Sequence, residues 1–140
     1  MSINEIQDEI IDEFSLFEDW MDKYEYIIEL GKSLDLIDEQ YKDEDHLIRG
    51  CQSRVWLHAE ARPDRAVHFT ADSDAVITKG LIALLLRVLS NQPASAIATS
   101  DLYFIERIGL DEHLSMTRSN GLRSMVKQMK TYGLAFGAQA

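Results

Sequence analysis

A chain of 140 residues, 46% hydrophobic and 27% charged, has globular composition and enough length to bury a core without disulfides or metals. Fourteen basic against 24 acidic side chains leave a net charge of -10, which argues against nucleic acid as a partner, because phosphate contacts need a concentrated basic surface. One cysteine excludes an internal disulfide and any site made of cysteines alone, and the longest apolar run, Leu81 to Leu86, is far short of the roughly 20 residues of a membrane span.

The charge is uneven. Residues 1–46 hold 16 acids and three lysines, net -13, whereas residues 47–140 hold eight acids and 11 bases, net +3. Glycine and proline are scarce and no segment repeats, so the expectation is one domain over residues 1–140 with an acidic helical face. The acidic N-terminus lacks the basic-then-apolar order of a signal peptide, and a cytoplasmic protein is expected.

Ile10, Phe14, Phe17, Met21, Tyr24 and Ile28 recur at three and four residues, which places them on one helix face. Trp20 and Ile27 widen that stripe, and Gly31 followed by Lys32 reads as its stop. The spacing leaves open whether a break near Ser15 divides the helix. Residues 33–45 are too acidic and irregular to assign.

Residues 54–62 alternate, with Val55, Leu57, Ala59 and Ala61 inward and Arg54, Trp56, His58, Glu60 and Arg62 outward, the pattern of a half-buried strand. Arg62-Pro63-Asp64-Arg65 is a type I turn, and residues 66–71 return antiparallel with Val67, Phe69 and Ala71 inward. His46 to Arg49 is a candidate third strand. Asp72-Ser73-Asp74 signals the start of a central helix over residues 75–90, apolar nearly all round, which Asn91-Gln92-Pro93 ends. Ser119-Asn120 opens a last helix with Leu122, Met125, Val126 and Met129 on its inner face. The fold class is α+β, a small antiparallel sheet packed with helices.

Cys51 lies in a polar bend, Arg49-Gly50-Cys51-Gln52-Ser53-Arg54, just before the long strand. Free cysteines are often small buried residues. Here the neighbours are polar, Gly50 gives the backbone freedom to present or withdraw the thiol, and Arg49 and Arg54 favour the reactive thiolate. From the local residues alone both readings stand. The histidines at 46, 58, 68 and 113 have no zinc-helix spacing; His58 and Glu60 come nearest to a ligand pair, but a polar outer strand face accounts for them, and no metal site is expected. Gly80 reads as a close-packing residue, and Met21, Met125 and Met129 as core.

Four blocks in order resemble the SufE family, including its CsdE relatives, the sulfur acceptors of iron–sulfur cluster biogenesis. They are Trp20-Met21-Asp22-Lys23-Tyr24 running to Gly31; Gly50-Cys51-Gln52-Ser53-Arg54-Val55-Trp56; Asp72-Ser73-Asp74 with Lys79-Gly80-Leu81; and His113-Leu114 with Arg118-Ser119-Asn120-Gly121-Leu122. Thr117, where many relatives carry serine, is the chief departure.

The resemblance implies the fold shared with IscU-type scaffolds, though those hold a cluster with several cysteines and this chain has one. It implies that Cys51 takes persulfide sulfur from a pyridoxal-phosphate-dependent cysteine desulfurase, stimulates that enzyme and hands the sulfur to an iron–sulfur scaffold. No cofactor of its own, no metal, no nucleic acid and no membrane enter this reading, and monomer and homodimer are both compatible with it. Asp74 and Arg118 are placed near Cys51 by the resemblance, and Arg54 joins them as a partner-binding candidate. The thiol is expected in a sheltered pocket, with Ile48 and Val55 as apolar cover. A thiol-dependent hydrolase or isomerase using Cys51 with a histidine, and a non-catalytic acidic adaptor, are the alternatives.

Overall fold

The computed structural model describes residues 1–51 and 53–138. Helix α1 (Ile3–Phe14) opens at Ser2, whose hydroxyl accepts the Glu5 amide while the Glu5 carboxylate accepts the Ser2 amide. It ends at Ser15, and the chain restarts at Asp19, whose carboxylate accepts the Asp22 amide and caps α2 (Trp20–Gly31). The apolar spacing from Ile10 to Ile28 therefore spans two helices. Ile10, Phe14 and Ile27 are buried, but Met21 is 68% exposed rather than core, because the restart resets the angular phase of the second helix.

Helix α3 (Val76–Leu89) is the buried centre, with Ile77, Leu81, Ile82, Leu84, Leu85, Val88 and Leu89 all sequestered; Val76 alone of the expected apolar positions faces solvent. Backbones of α2 and α3 nearly touch. A methyl group on Gly80 would lie 2.1 Å from the Ile27 carbonyl oxygen, and one on Gly31 2.8 Å from the Gly80 amide nitrogen. Gly80 thus serves close packing, and Gly31 is small for the same reason. Arg87 of α3 ties back to α1, with Nη2 2.7 Å from Glu9 Oε1 and both Glu13 oxygens engaged, while the Tyr26 hydroxyl donates to Glu13 at 2.5 Å.

Strands β1 (Val55–Ala61) and β2 (Ala66–Ser73) form an antiparallel hairpin in register from Val55↔Ser73 to Ala61↔Val67. The Arg65 amide donates to the Arg62 carbonyl at 3.0 Å and Arg65 itself has φ +69°, the type I turn plus left-handed residue of a three-residue hairpin loop. Val55, Leu57, Val67, Phe69 and Ala71 are the buried inner face; Ala59 and Ala61 emerge toward the hairpin tip. The third strand is β3 (Gln92–Pro93), paired with Ala66 and Val67. His46 to Arg49 does not take that place. It touches the sheet at one bridge, Leu47↔Trp56, because a 3-10 turn at Glu44–His46 precedes it and the Gly50 turn follows, leaving too few extended residues.

The unassigned residues 33–45 and the two that follow have a definite course. Leu36 bridges Ala71 on the edge of β2, Leu47 bridges Trp56 on the edge of β1, and the chain between crosses the outward face of the hairpin. There Tyr41 stacks on His58, and Lys42 lies over the Trp56 ring and pairs with Asp72 at 2.7 Å. The face expected in solvent is covered.

Beyond β3 come α4 (Ala94–Thr99), α5 (Phe104–Arg107) and α6 (Leu110–His113). Buried Gln7 ties them to α1, donating to the Asp101 carbonyl at 3.0 Å and accepting the Phe104 amide at 3.1 Å. The last helix, α7 (Met116–Ala138), contains Ser119 and Asn120 instead of starting at them. Ser115 supplies the cap, its hydroxyl accepting the Arg118 amide at 3.3 Å. Leu122, Met125 and Met129 are buried as their spacing predicts. One apolar cluster runs from Ile3 to Met129 through every layer, and the fold is α+β. Among the described residues no helix is long and apolar enough to cross a membrane.

Candidate functional site

The site is a turn trapped between the start of β1 and helix α7. Gly50 has φ +91°, a left-handed conformation that strains other residues, and a side chain there would also strike the Ser124 hydroxyl at 2.6 Å. That turn directs Cys51 against α7. The thiol donates to the Gly121 carbonyl oxygen at 3.6 Å, and the residue is half-buried. Around it lies a recess of about 90 Å³ lined by Ser53, Thr78, Leu81, Thr117, Arg118 and Met125. Gln52, one of the polar neighbours that singled out Cys51, lies outside the described residues.

Burial pushes the Cys51 thiol above its ordinary value. The expected lowering by Arg49 and Arg54 is absent, since neither lines the recess: Arg54 is exposed, and Arg49 borders a different cavity alongside Glu44 and Asp45. Ile48 and Val55 are buried but belong to the core, so Leu81 and Met125 supply the apolar cover instead. Two of the residues singled out from sequence do meet. The Asp74 carboxylate accepts the Arg54 amide at 3.1 Å and the Asp74 amide donates to the Arg54 carbonyl at 3.3 Å. Asp74 therefore fixes the exit of the Cys51 turn rather than capping α3, whose cap position is Ala75 with no side-chain hydrogen bond. Arg118 stands exposed at the mouth of the recess.

No histidine lines the recess. His113 stacks on Trp20 with centroids 4.5 Å apart, His68 binds Asp35 at 3.0 Å and Asn91 at 2.8 Å, and His46 of the 3-10 turn meets His58 of β1. The thiol–histidine pair that a hydrolase would need is not assembled among the described residues. Sequence reasoning missed Thr78, Gly121 and Met125 as the wall of the site; they were visible only as residues of helices whose mutual packing was unknown.

The site is thus one thiol on a left-handed glycine turn, half-buried beside a recess of about 90 Å³. The sequence matches the family described as SufE, Fe-S metabolism associated domain, over residues 8–133, and the chain belongs to that family. It is 46% identical over 127 residues to a SufE-like protein of Rhizobium etli, covering 88% of this chain and 86% of that one. To a SufE-like protein of Rhizobium meliloti it is 42% identical over 128 residues, 89% and 91% of the two chains. SufE-like protein 1, chloroplastic/mitochondrial, of Arabidopsis thaliana is 39% identical over 126 residues, 90% of this chain but 34% of the plant protein. A hypothetical protein of Thermus thermophilus with a solution structure shares the fold, with a TM-score of 0.78 at 16% identity and 95% and 96% of the two chains covered. Family membership places the chain in iron–sulfur metabolism.

Proposed function

We propose that the protein is a sulfur carrier: Cys51 accepts the outer sulfur of a persulfide on a pyridoxal-phosphate-dependent cysteine desulfurase, stimulates that enzyme by relieving it of sulfur, and passes the atom to an iron–sulfur scaffold. The observation that carries this reading is the placement of the chain's one thiol on the Gly50 turn, drawn into its recess beside Gly121. A carrier needs one nucleophile, access when docked and shelter when free.

In the transfer step the Cys51 thiolate attacks the outer sulfur of the donor. A bond forms between Sγ and that sulfur as the donor's own S–S bond breaks, and the donor cysteine leaves as a thiolate, with no net oxidation. Burial favours the thiol, so the free protein is reluctant to react; swinging out on the Gly50 turn restores the thiolate where the donor waits. Withdrawn again, the added sulfur fits a recess of about 90 Å³, since a water-sized sphere needs only about 10–15 Å³ on that measure. There it is kept from small thiols and oxidants. Arg118 at the mouth and exposed Arg54 offer the partner charged grips, while Asp74 anchors the strand end that the moving turn swings from. Residues 1–140 act as one SufE-like unit in the cytoplasm, as a monomer or homodimer, with the pyridoxal phosphate belonging to the partner.

The test is desulfurase turnover, read as sulfide released from cysteine in the presence of a reductant. Wild-type protein raises it and Cys51→Ser does not. Equal stimulation by the two proteins would contradict the proposal.

A further inference from the structure

Away from the thiol, the segment that crosses the hairpin meets β1 in one continuous chain of polar contacts. Asp43 Oδ1 is 2.7 Å from His46 Nδ1, His46 Nε2 is 3.1 Å from His58 Nδ1, and His58 Nε2 is 3.2 Å from Glu60 Oε1. The two imidazoles are largely covered, with side chains 20% and 17% exposed, and the Tyr41 ring lies flat on His58 at 3.8 Å and 7°.

Proton counting makes this arrangement unusual. Ionised carboxylates only accept, and a neutral imidazole carries one N–H. The hydrogen bond from His46 holds the Asp43 carboxyl below its ordinary range, so Asp43 is charged. With Asp43 and Glu60 each taking a ring proton, the nitrogens that face each other across 3.1 Å are both bare lone pairs. That contact repels. One added proton converts it into an N–H···N hydrogen bond and completes the chain, and the flat Tyr41 ring suits the resulting cation.

We propose that His46 and His58 share one proton and thereby form a pH-sensitive clip on the segment leading into Cys51. Beyond His46 the same run is held to β1 by the Leu47↔Trp56 bridge and by the Ile48 amide donating to the Val55 carbonyl at 2.8 Å, and the Gly50 turn follows directly. The clip is the outermost fastening of that run. Acidification supplies the proton and tightens it; a rise in pH removes the proton and loosens it. The other charges facing the pair are Glu44 and Asp45 of the 3-10 turn, Arg49 of the Cys51 loop and Lys127 of α7, which share a cavity with His46. From β2, His68 lies opposite Glu60, and Lys42 of the crossing segment is occupied by Asp72 and Glu39. With Asp43 and Glu60, four carboxylates and two cations, Arg49 and Lys127, lie around the pair among the described residues. The inference stands whether or not Cys51 carries sulfur.

Titration of the ring nitrogens by nitrogen-15 NMR tests the sharing, and alkylation of Cys51 tests the clip. In the wild type both rings change together with one midpoint, the pair taking up one proton; in His58→Gln the His46 signal moves alone with a different midpoint. Cys51 is alkylated about threefold to tenfold more slowly in wild type than in His58→Gln near pH 6, as expected for loss of one hydrogen bond, and the two rates converge near pH 8.5. The thiolate fraction cancels in that ratio, and His46→Asn supplies a second variant from the other side of the contact. Independent midpoints for the two rings overturn the shared proton. A rate ratio that stays flat with pH in both variants overturns the clip.

Discussion

The Cys51 thiol and the Gly121 carbonyl, 70 residues apart in sequence, meet at 3.6 Å, and Gly121 has no side chain to intervene. The thiol is thus held on a helix backbone by a neutral hydrogen bond of modest strength. The wall around the thiol comes from α7 and α3, and the proposed carrier role assigns its release to the Gly50 turn.

A methyl group at Gly121 would stand 3.5 Å from the Cys51 sulfur, an ordinary contact. Gly121→Ala is therefore expected to fold normally and to gain up to about 1 kcal/mol from helix propensity, read as a higher denaturant midpoint. Gly121→Leu fills the recess, expels the thiol and makes alkylation of Cys51 faster in the free protein. Wild-type alkylation rates in the leucine variant would show that the recess does not shelter the thiol.

The alkylation rate of the free protein should follow a titration centred above the ordinary thiol value of about 8.5, because burial holds the Cys51 proton. Between the unfolded and the raised folded value the native state binds the proton more tightly, so stability falls as pH rises through that window. Cys51→Ser removes that alkaline loss. A midpoint at or below the value in urea-unfolded chain would contradict the account.

Arg87 holds the Glu13 carboxyl below the usual carboxylate range, with further help from the Tyr26 hydroxyl against the opposing effect of burial. This contribution to stability is complete above the unfolded carboxylate value and is lost as pH falls through the lower folded one. Glu13→Gln should lower stability by about 1 kcal/mol at neutral pH and flatten the acid limb of a stability–pH curve. An unchanged acid limb in the variant would place the acid sensitivity elsewhere.

Gly80→Ala should cost about 1–3 kcal/mol or prevent folding, since its methyl group would strike the Ile27 carbonyl, a backbone atom that cannot rotate away. Thermal or urea unfolding measures this directly. A stabilised variant would mean that α2 and α3 are not in contact as described.

The fold was legible where a residue's role follows from its local pattern. Alternation at residues 54–62 and 66–71 reveals the hairpin and, except at Ala59 and Ala61, its inner face, and the apolar run at 75–90 reveals the central helix. Periodicity misled at Met21, because a three-four spacing survives a break between helices while the phase does not. Asp74 read as a helix cap because Asp-Ser-Asp fits one; a tertiary bond to Arg54 outcompeted that local use. Cys51 was found through its lone occurrence beside Gly50, but its neighbours in space, Thr78, Gly121 and Met125, come from helices whose approach no spacing encodes. The arginines near Cys51 in sequence point elsewhere for the same reason.

The central claim is that Cys51 carries sulfur, and intact-mass measurement tests it most directly. The protein is mixed with a cysteine desulfurase and cysteine without reductant, then weighed and fragmented. The account predicts an increase of about 32 Da, one sulfur atom, located on Cys51 and absent from Cys51→Ser. No such adduct on the wild type despite an active desulfurase, or the same adduct on Cys51→Ser, would contradict it.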